Sequence, residues 1–509
     1  MVLDTQIISD TVVGFYVFAL VMVCIYGLHR YHLVYLFYRH RRHKPRLEAC
    51  FLDLPRVTLQ LPMYNEKYVA RRVIEAACEI DYPRDKLQIQ VLDDSTDETT
   101  EIARQTVERL RSAGYDVMLL HRDNRSGYKA GALDEGLASA TGEFVCIFDA
   151  DFIPPPGILA ESIHYFADPA VGMVQARWDH LNRDHSLLTK SQAILLDGHF
   201  VIEHAARNRS GRFMSFNGTA GLWRRRCIED AGGWHHDTLT EDLDLSYRAQ
   251  MKGWKFVFLS DLISPAELPP EMNAFKSQQH RWAKGGAQTA KKLLPGILRS
   301  RLPWPIKVEA FFHLTSCTVY LYIVMLTLLI VPSLYIICSY QSSLARTLFN
   351  LSVFIIATMG PSSFYLASQH EIFRTWADKL KYLPFLMALG LGISFNNARA
   401  ALEGLFGKDS EFVRTPKFGV GAGAHEWKTK AGRIVGRKRR GRLQPWLELG
   451  VGLYLLVAMV LCCTRIRVTA SVPFILLFIV GYFYVSLATF YGRWVTAHQP
   501  DELTETSEA

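Results

Sequence analysis

The stretch LQIQVLDDSTD, residues 87–97, carries an apolar run directly into three aspartates. The run LQIQVL predicts a buried β-strand, and Asp93, Asp94 and Asp97 follow at its carboxyl end. Carboxylates held this close repel one another, and burial adds a cost of desolvation. The stretch therefore predicts a place where a cation, or a set of hydrogen-bond donors, faces the end of a strand.

Short apolar strands alternate with helical stretches on both sides of this segment. Such alternation is typical of an α/β domain, in which helices cover a parallel sheet. The predicted strands are residues 57–62, 87–93, 116–122 and 142–151, and the predicted helices between them are residues 66–80, 98–114 and 129–140.

Polar side chains follow three of the predicted strands. Ligands of parallel sheets bind beyond the carboxyl ends of the strands, so we expect these side chains to line one pocket. They are Asn65 and Glu66 after the first strand, Asp93 and Asp94 after the second, and Asp149 and Asp151 after the fourth.

The pattern Asp149-Ala150-Asp151 places two carboxylates one residue apart at the end of a strand. Oxygen ligands of this kind suit a hard divalent ion, although the same pattern also fits a solvated turn. Together with Lys129 in GYKAG, such an ion would neutralise a diphosphate, and Asn65 and Glu66 would face a base or ribose. There is no GxGxxG after the first strand and no GxxxxGK[ST], which disfavours dinucleotide-binding and P-loop proteins.

Five apolar runs lie outside this domain, each near the ~20 residues that span a bilayer as a helix. They are residues 12–28, 311–340, 347–368, 447–463 and 470–491. A buried core helix is a plausible reading of one such run but not of five. The chain is therefore expected to be an integral, multi-pass membrane protein in contact with the lipid bilayer.

The flanks of the first run predict the orientation. HRYHLVYLFYRHRRHKPR, residues 29–46, is basic, and basic residues keep their side of a span in the cytoplasm. No Lys or Arg precedes the run and no small-residue cleavage site follows it, which argues against a signal peptide. We expect the amino terminus outside and residues 47–300 in the cytoplasm. The nine cysteines of the chain lack CxxC spacing, which predicts that they are reduced and bind no metal.

Two further segments, residues 382–407 and 426–446, lie between the predicted spans. Residues 382–407 are apolar at first and then polar with helical spacing, which favours an amphipathic helix at the interface and a total of five spans; six is the alternative. The net charge of +8 gathers partly in residues 426–446, a basic run that we interpret as a contact with lipid headgroups. A nucleic-acid partner is not expected, since no recognition fold accompanies this run.

These features divide the chain into six parts. They are a transmembrane helix with a basic segment (1–46), the α/β domain (47–300), two transmembrane helices (301–381), an interfacial helix and loop (382–446), two transmembrane helices (447–492) and a disordered tail (493–509).

Three more motifs complete a pattern: TED at residues 240–242, QQHRW at residues 278–282 and FVRTPK at residues 412–417. With VLDDSTD and FDAD before them, they resemble the processive, inverting family 2 glycosyltransferases, the membrane synthases of cellulose, mannan, chitin and hyaluronan. QLPMYNE, VQARW and FNGTAGLWR are most similar to the plant cellulose-synthase-like A and C proteins. The resemblance implies a GT-A type, Rossmann-like domain beside a bundle of transmembrane helices.

The resemblance also implies roles for the carboxylates. Asp242 would be the general base, with Glu241 beside it, and Asp151 would bind Mg²⁺ or Mn²⁺ with Asp149, which would also contact the ribose or diphosphate. Asp94 would hold the nucleotide. The same Asp242 is also explained as a helix-start residue after an N-cap at Thr240, and the two roles are compatible.

The remaining roles concern the acceptor and closure of the site. Gln278 and Arg281 would hold the diphosphate and acceptor, and Trp282 would stack on the acceptor sugar. Residues Phe412, Arg414, Thr415 and Lys417 would belong to a gating loop whose usual pattern is F-x-V-T-x-K, from which Arg414 departs. We expect Trp178 to be a packing residue, and His180, His199 and His204 to be structural or to line the acceptor site.

The predicted protein is thus a metal-dependent hexosyltransferase that polymerises a β-linked polysaccharide, β-1,4-mannan, glucomannan or glucan, from GDP-mannose or UDP-glucose. It would act at the plasma membrane of a bacterium or in the Golgi of a plant, and its spans would carry the growing polysaccharide. The alternative is a transferase that adds one sugar to a lipid. A channel is disfavoured because the spans have almost no ionisable residues, His313 being the main exception. A glycoside hydrolase is disfavoured because it rarely needs a metal and a lysine at a sheet edge.

Overall fold

The computed structural model describes residues 2–340, 344–407, 414, 415, 417, 419, 443–461, 463, 464 and 472–497. The predicted strands and helices of the α/β domain are confirmed, with shorter bounds at several ends. The strands are β1 (Val57–Met63), β2 (Leu87–Asp93), β3 (Val117–His121), β4 (Phe144–Ile147), β5 (Val171–His180), β6 (Gly221–Arg224) and β7 (Lys255–Ala266).

Helices surround this sheet and continue beyond it. Helix α1 (Val2–Arg39) precedes the α/β domain. The helices of the domain are α2 (Ala70–Cys78), α3 (Thr99–Ser112), α4 (Tyr128–Ser139), α5 (Ile158–Ser162), α6 (Leu187–Asp197), α7 (Ala205–Arg209), α8 (Arg225–Asp230), α9 (Glu241–Met251) and α10 (Met272–Arg299). The later ones are α11 (Trp304–Thr315), α12 (Val319–Tyr340), α13 (Leu344–Ile372), α14 (Leu383–Gly392), α15 (Ser394–Leu405), α16 (Gln444–Leu461) and α17 (Val472–Ala497). A π-helical segment, Gly198–His204, joins α6 to α7.

The seven strands form one sheet in the order β3-β2-β1-β4-β6-β5-β7. The pairs β1–β2, β2–β3, β1–β4 and β5–β7 are parallel, but β6 runs antiparallel to β4 and β5. The four predicted strands, β1 to β4, are parallel to one another as expected, and the antiparallel β6 makes the complete sheet mixed. The reason is local: the loop before β6 lies at the carboxyl end of β4, so β6 starts opposite Ile147 and returns to Phe144.

The central strands β1 and β2 are buried along their whole length. Their polar side chains pair with each other across the parallel register, Thr58 with Gln88 at 2.8 Å and Gln60 with Gln90 at 3.0 Å. Buried polar groups are stable only when they are hydrogen-bonded, and these ladders fix the register of the two strands. This register brings the carboxyl ends of both strands to the same level.

Four helices in the described part of the chain are long and apolar enough to cross a membrane: Gln6–Arg39, Trp304–Ser333, Gln444–Leu461 and Val472–Val495. The fifth predicted span, residues 347–368, lies in α13, which is not one of these four. Residues 382–407 form two helices, α14 and α15, instead of one. The counts of five or six spans and the six-part division remain predictions.

Small residues let two candidate membrane helices, α1 and α17, approach neighbouring helices closely. A Cβ atom added to Gly360 of α13 would lie 2.3 Å from the carbonyl oxygen of Gly27 in α1, and one added to Gly392 would lie 2.2 Å from that of Gly481 in α17. Contacts of this kind are common between membrane helices, where backbone packing stabilises association. They indicate that α1 with α13, and α14 with α17, form tightly packed pairs.

A buried ion network joins the first and second candidate spans to the α/β domain. In it, Arg207 of α7 pairs with Glu309 of α11 at 2.9 Å and with Glu203 at 2.6 Å. His29 contacts the other oxygen of Glu309 at 3.0 Å, and Arg30 pairs with Glu203 at 2.9 Å. Because buried charges need partners, this network fixes how the domain sits on its membrane helices.

Candidate active site

A cleft of about 1340 Å³, part of it open to solvent, lies at the carboxyl ends of the strands. It is lined by the residues that the sequence analysis assigned to the site: Glu66, Asp94, Lys129, Asp149, Asp151, Glu241, Asp242, Gln278, Arg281, Trp282, Arg414, Thr415 and Lys417. Asn65 does not line it, and Phe412 lies outside the described residues. Segments distant in sequence therefore meet in one place, as the strand topology predicts.

The first pair of aspartates explains the opening stretch. Asp93 is fully buried and accepts hydrogen bonds from the Ser95 backbone N–H at 3.1 Å and the Thr100 hydroxyl at 2.6 Å, while His121 Nδ1 lies 2.8 Å away. Asp94 is held by both arms of Arg122, with Nε to Oδ1 at 2.7 Å and Nη2 to Oδ2 at 2.6 Å. The repulsion is thus offset by donors at one carboxylate and a guanidinium at the other.

Asn65 connects the loops after β1 and β2 and does not face the cleft. Its backbone has a positive φ of 53°, its N–H donates to the Ser95 hydroxyl at 2.8 Å, and its side-chain oxygen accepts from the Thr96 N–H at 2.8 Å. Asparagine tolerates this left-handed conformation better than most residues. Its position supports the shape of the loops, and its predicted contact with the nucleotide remains a prediction.

Asp149 lies beside an ammonium group at the end of β4. Lys129 Nζ donates to Asp149 Oδ1 at 2.6 Å and to the Gly218 carbonyl at 2.7 Å, and the Asp149 N–H donates to Thr219 Oγ1 at 2.9 Å. Burial alone raises the pKa of Asp149, but Lys129 and Lys417 more than offset this effect, and the pKa falls below its usual value. Asp149 is therefore a carboxylate at neutral pH.

Asp151 and Glu66 meet the two cations of the FVRTPK motif. Lys417 Nζ lies 2.5 Å from Asp151 Oδ1 and 3.1 Å from Glu66 Oε1. Arg414 forms an ion pair with Glu66 and donates through Nη1 to the carbonyl oxygens of Tyr64 and Asn65, each at 2.5 Å. Three carboxylates that gather cations in this way have the donor set of a divalent-metal site, so Asp149 and Asp151 fit the metal role proposed for them.

Glu241 and Asp242 begin α9, which follows Thr240. Thr240 takes the N-cap position as expected, but its hydroxyl lies 3.2 Å from Thr289 Oγ1 and does not cap the helix. Burial raises the pKa of Asp242 to about 7, the charge of Glu241 adds to the shift, and Lys129 opposes it. A carboxyl group with this pKa is matched to proton transfer near neutral pH.

Gly218 lets the backbone lie close to the carboxylate of Asp242. Its φ is +77°, and a Cβ atom added there would lie 3.0 Å from Asp242 Oδ2 and 3.3 Å from Lys129 Nζ. The FNGTAG loop therefore needs glycine at this position for both conformation and space.

Helix α10 presents the last part of the site. Gln278, Arg281 and Trp282 are spaced i, i+3 and i+4, which places them on one face of the helix, and all three line the cleft. Glu271 caps the helix by accepting from the N–H groups of Asn273 and Ala274, each at 3.1 Å. The cap fixes the start of the helix on which these three side chains depend.

Comparison with known proteins agrees with this geometry. Residues 55–285 match the family described as Glycosyltransferase like family 2. The chain is 35% identical over 424 residues to glucomannan 4-beta-mannosyltransferase 2 of Arabidopsis thaliana, covering 80% of this chain and 75% of that one. The chain is a cellulose-synthase-like family 2 glycosyltransferase. It is also 40% identical over 343 residues to probable glucomannan 4-beta-mannosyltransferase 10 of Arabidopsis thaliana, but spans only 62% of that protein.

A solved structure confirms the fold of this glycosyltransferase. A mannosyltransferase from Pyrobaculum calidifontis, in complex with GDP-mannose and Mn²⁺, aligns with a TM-score of 0.54 and 23% identity. It covers 77% of this chain and 100% of its own. At this identity the likeness shows the shared fold, and the predicted GT-A type domain is confirmed.

Several residues in or beside the cleft of this glycosyltransferase were not predicted as site residues. Arg122 holds Asp94, and the guanidinium of Arg125 stacks on the ring of Tyr64, 3.4 Å from its centroid. Trp178, expected to be a packing residue, lines the cleft, and so does His180, for which lining the acceptor site was one of two expected roles. The one signal in the sequence was position, because Arg122 follows β3 just as the aspartates follow β2 and β4.

The loop residue Asn217 is a further lining residue that was not predicted. Its side-chain oxygen accepts from His204 Nε2 at 2.6 Å and its NH₂ group donates to His199 Nε2 at 2.9 Å. The two histidines of the π-helical segment are therefore structural supports of the cleft, in line with one of the two roles expected for them.

Proposed function

We propose that this enzyme polymerises a β-1,4-linked mannan or glucomannan from GDP-mannose at the cytoplasmic face of a membrane. The observation that carries this proposal is the similarity to a glucomannan 4-beta-mannosyltransferase over 80% of the chain, which extends beyond the α/β domain. The site supports it, because every described TED, QQHRW and FVRTPK residue with an assigned role lines one cleft.

The chemistry begins at Asp242, at the start of α9. Its carboxylate accepts the proton of the acceptor's 4-hydroxyl, and the oxygen then attacks C1 of the donor sugar from the face opposite the leaving group. The C1–O bond to the diphosphate breaks, its electron pair stays on the diphosphate, and an α-linked donor yields a β-linked product. A buried carboxyl group with a pKa of about 7 is suited to this task.

The negative charge that develops on the leaving diphosphate must be neutralised. Lys129, Arg281 and Lys417 line the same cleft and would neutralise it. Asp149 and Asp151 would hold Mn²⁺ or Mg²⁺, which supplies further positive charge to the diphosphate when bound. Glu241 is buried beside Asp242 and acts through its charge on the pKa of that residue.

The acceptor lies toward α10, where Trp282 offers an aromatic surface and Gln278 a hydrogen-bonding group. Because α10 leads into α11 and the second candidate span, the growing chain would enter the helix bundle as it leaves the site. The plasma membrane of a bacterium, or the Golgi membrane of a plant, is the proposed location.

The experiment that tests this function uses the full chain in nanodiscs with Mn²⁺ or Mg²⁺. GDP-mannose and UDP-glucose are supplied separately and together, release of nucleoside diphosphate is followed, and the product is digested with β-mannanase or cellulase. Long chains that require GDP-mannose and are cut by β-mannanase are the expected result. A single sugar on a lipid, or a polymer formed from UDP-glucose alone, would contradict the proposal.

A further inference from the structure

Two polar groups at the end of β5 are buried at the cleft without a partner. The side chain of His180 is 1% exposed, and neither ring nitrogen has a hydrogen-bond partner among the described residues. The indole N–H of Trp178 is also buried and also lacks a hydrogen-bond partner among the described residues. Buried polar atoms in native proteins are nearly always satisfied, so unsatisfied ones that line a cleft indicate a polar ligand.

The neighbouring carboxylate does not satisfy His180. Asp197 Oδ1 lies 3.8 Å from His180 Nε2, which is beyond hydrogen-bonding distance. The two oxygens of Asp197 already accept from Arg183 at 2.6 Å and 2.9 Å, and Gln369 donates to one of them at 2.9 Å. Asp197 therefore belongs to a separate cluster, and the imidazole of His180 keeps its hydrogen-bonding capacity for the cleft.

The strand geometry aims both side chains at the cleft. The register of β5 against β7 shifts between Ala176 and Arg177, so residues 260–262 of β7 are passed over. The bulge therefore lies on β7, and pairing resumes with Trp178 opposite Ser264 and His180 opposite Ala266. Trp178 and His180 are two residues apart and share a face of β5, and both line the cleft.

The ring of Trp178 is fixed in place by its aromatic neighbours. Its centroid lies 5.1 Å from that of Phe152, edge to face, and 4.9 Å from that of Phe200. A side chain held in this way presents its N–H in one direction, which makes it a donor of defined geometry.

The surrounding wall has the character of a carbohydrate site. Leu196, Leu268, Pro269 and Trp282 also line the cleft, so apolar surface meets a few polar atoms there. Sugars present apolar C–H faces and a rim of hydroxyl groups, and aromatic walls with isolated donors and acceptors suit both. Burial lowers the pKa of His180 to about 4, so the ring is neutral and offers one donor and one acceptor.

We propose that Trp178 and His180 hydrogen-bond the hydroxyl groups of an acceptor sugar in the same subsite as Trp282. This inference rests on the proposed function, because it takes the acceptor to be a β-1,4-linked hexose chain. It revises the expectation that Trp178 is a packing residue, and it chooses the acceptor-lining role for His180. Recognition of the acceptor is then shared by the end of β5 and the face of α10.

The test measures binding of mannotetraose and cellotetraose to the full chain in nanodiscs, with GDP as a second ligand. The variants are Trp178→Phe and His180→Phe, which remove the ring nitrogens, and His180→Gln, which keeps a donor and an acceptor. Trp223→Phe is the matched control, since Trp223 also carries a buried indole N–H without a partner in the described structure but packs against Phe216 and Phe256 away from the cleft.

We expect Trp178→Phe and His180→Phe to weaken binding of the preferred tetrasaccharide about fivefold or more, the size expected for losing one hydrogen bond. His180→Gln should recover part of the affinity, and GDP affinity should be unchanged in all variants. Trp223→Phe should bind the tetrasaccharide as wild type does.

Unchanged tetrasaccharide affinity in Trp178→Phe, or in a folded His180→Phe, would overturn the subsite. So would an equal loss in Trp223→Phe, since that result would report a general effect of losing an indole. The proposed function is tested separately by wild-type incorporation of mannose, which can fail while tetrasaccharide binding stays intact. If His180→Phe does not fold, Trp178→Phe and His180→Gln decide the matter.

Discussion

Lys417 Nζ lies 2.5 Å from Oδ1 of Asp151, the carboxylate proposed to hold the divalent ion. The same ammonium lies 3.1 Å from Glu66 Oε1. An ammonium group at this distance repels a divalent cation that approaches the same oxygen. A cation of the FVRTPK segment therefore lies where the metal is proposed to bind.

Removing this ammonium should change metal affinity. We expect Lys417→Met to bind Mn²⁺ about tenfold more tightly than wild type in the absence of nucleotide, because the ion no longer displaces a lysine. Polymer synthesis should fall, since the diphosphate loses a positive partner. Mn²⁺ binding is measured by electron paramagnetic resonance of the free ion. Lys67→Met, which breaks an ion pair with the mostly exposed Glu98, is the control, and equal affinities in the two variants would refute the competition.

The acid limb of the profile of kcat/KM against pH should report the ionisation of Asp242. The carboxylate form is the base, and its pKa is raised to about 7, so kcat/KM should rise with pH through about 7 and then level off. Asp242→Asn should abolish transfer and leave GDP affinity unchanged, as measured by calorimetry. Strong residual transfer by that variant would rule Asp242 out as the base.

Removing the charge of Lys129 should shift the acid limb of the pH–rate profile. Its ammonium favours the charged form of Asp242, so Lys129→Met should shift the acid limb to higher pH. Lys129→Arg keeps the charge and should leave the limb closer to its wild-type position. Rate profiles against pH at saturating donor distinguish the shift from a simple loss of rate, and a limb that stays in place in Lys129→Met would contradict the coupling.

Gly218 should be intolerant of a side chain for two separable reasons. Gly218→Ala places an L-residue at φ +77°, and its Cβ would lie 3.0 Å from Asp242 Oδ2. Gly211→Ala is the matched control, because its φ is +69° and nothing lies within 4 Å of the added atom. Both should lose about 1 kcal/mol of stability in thermal unfolding. We expect only Gly218→Ala to lose transfer activity as well, by about 100-fold.

Lys276 of α10 and Glu448 of α16 form a buried ion pair, with Nζ at 2.7 Å and 2.8 Å from the two carboxylate oxygens. Lys276→Met leaves Glu448 buried without its cation and should destabilise the protein by about 3–5 kcal/mol. The double variant Lys276→Met, Glu448→Leu should recover most of this loss. Thermal unfolding in detergent measures both, and a single variant as stable as wild type would show that the pair does not matter.

The sequence was sufficient to place three carboxylates of the cleft. Asp94, Asp149 and Asp151 follow apolar strands, and the topology of parallel sheets brings strand ends together whatever the details of packing. The TED and QQHRW residues were identified through resemblance, and the structure brings them to the same cleft.

Other features depended on contacts that no local pattern contains. Strands β5, β6 and β7 were not predicted at all, and the direction of β6 follows from where its preceding loop lies. Trp178 and His180 lie at the end of β5, whose partner β7 is distant in the chain. The partner of Asp94 is Arg122, which directly follows the neighbouring strand β3, and pairing between strands is decided by the whole sheet.

The ion network around Arg207 has a consequence for handling the enzyme. A chain cut to residues 47–300 would lose His29, Arg30 and Glu309 together. Arg207 and Glu203 would each lose a buried partner, and the cut surface would expose charges placed for a protein interior. The α/β domain and the helices that carry His29, Arg30 and Glu309 therefore share one interior, and the isolated α/β domain would have an incomplete core.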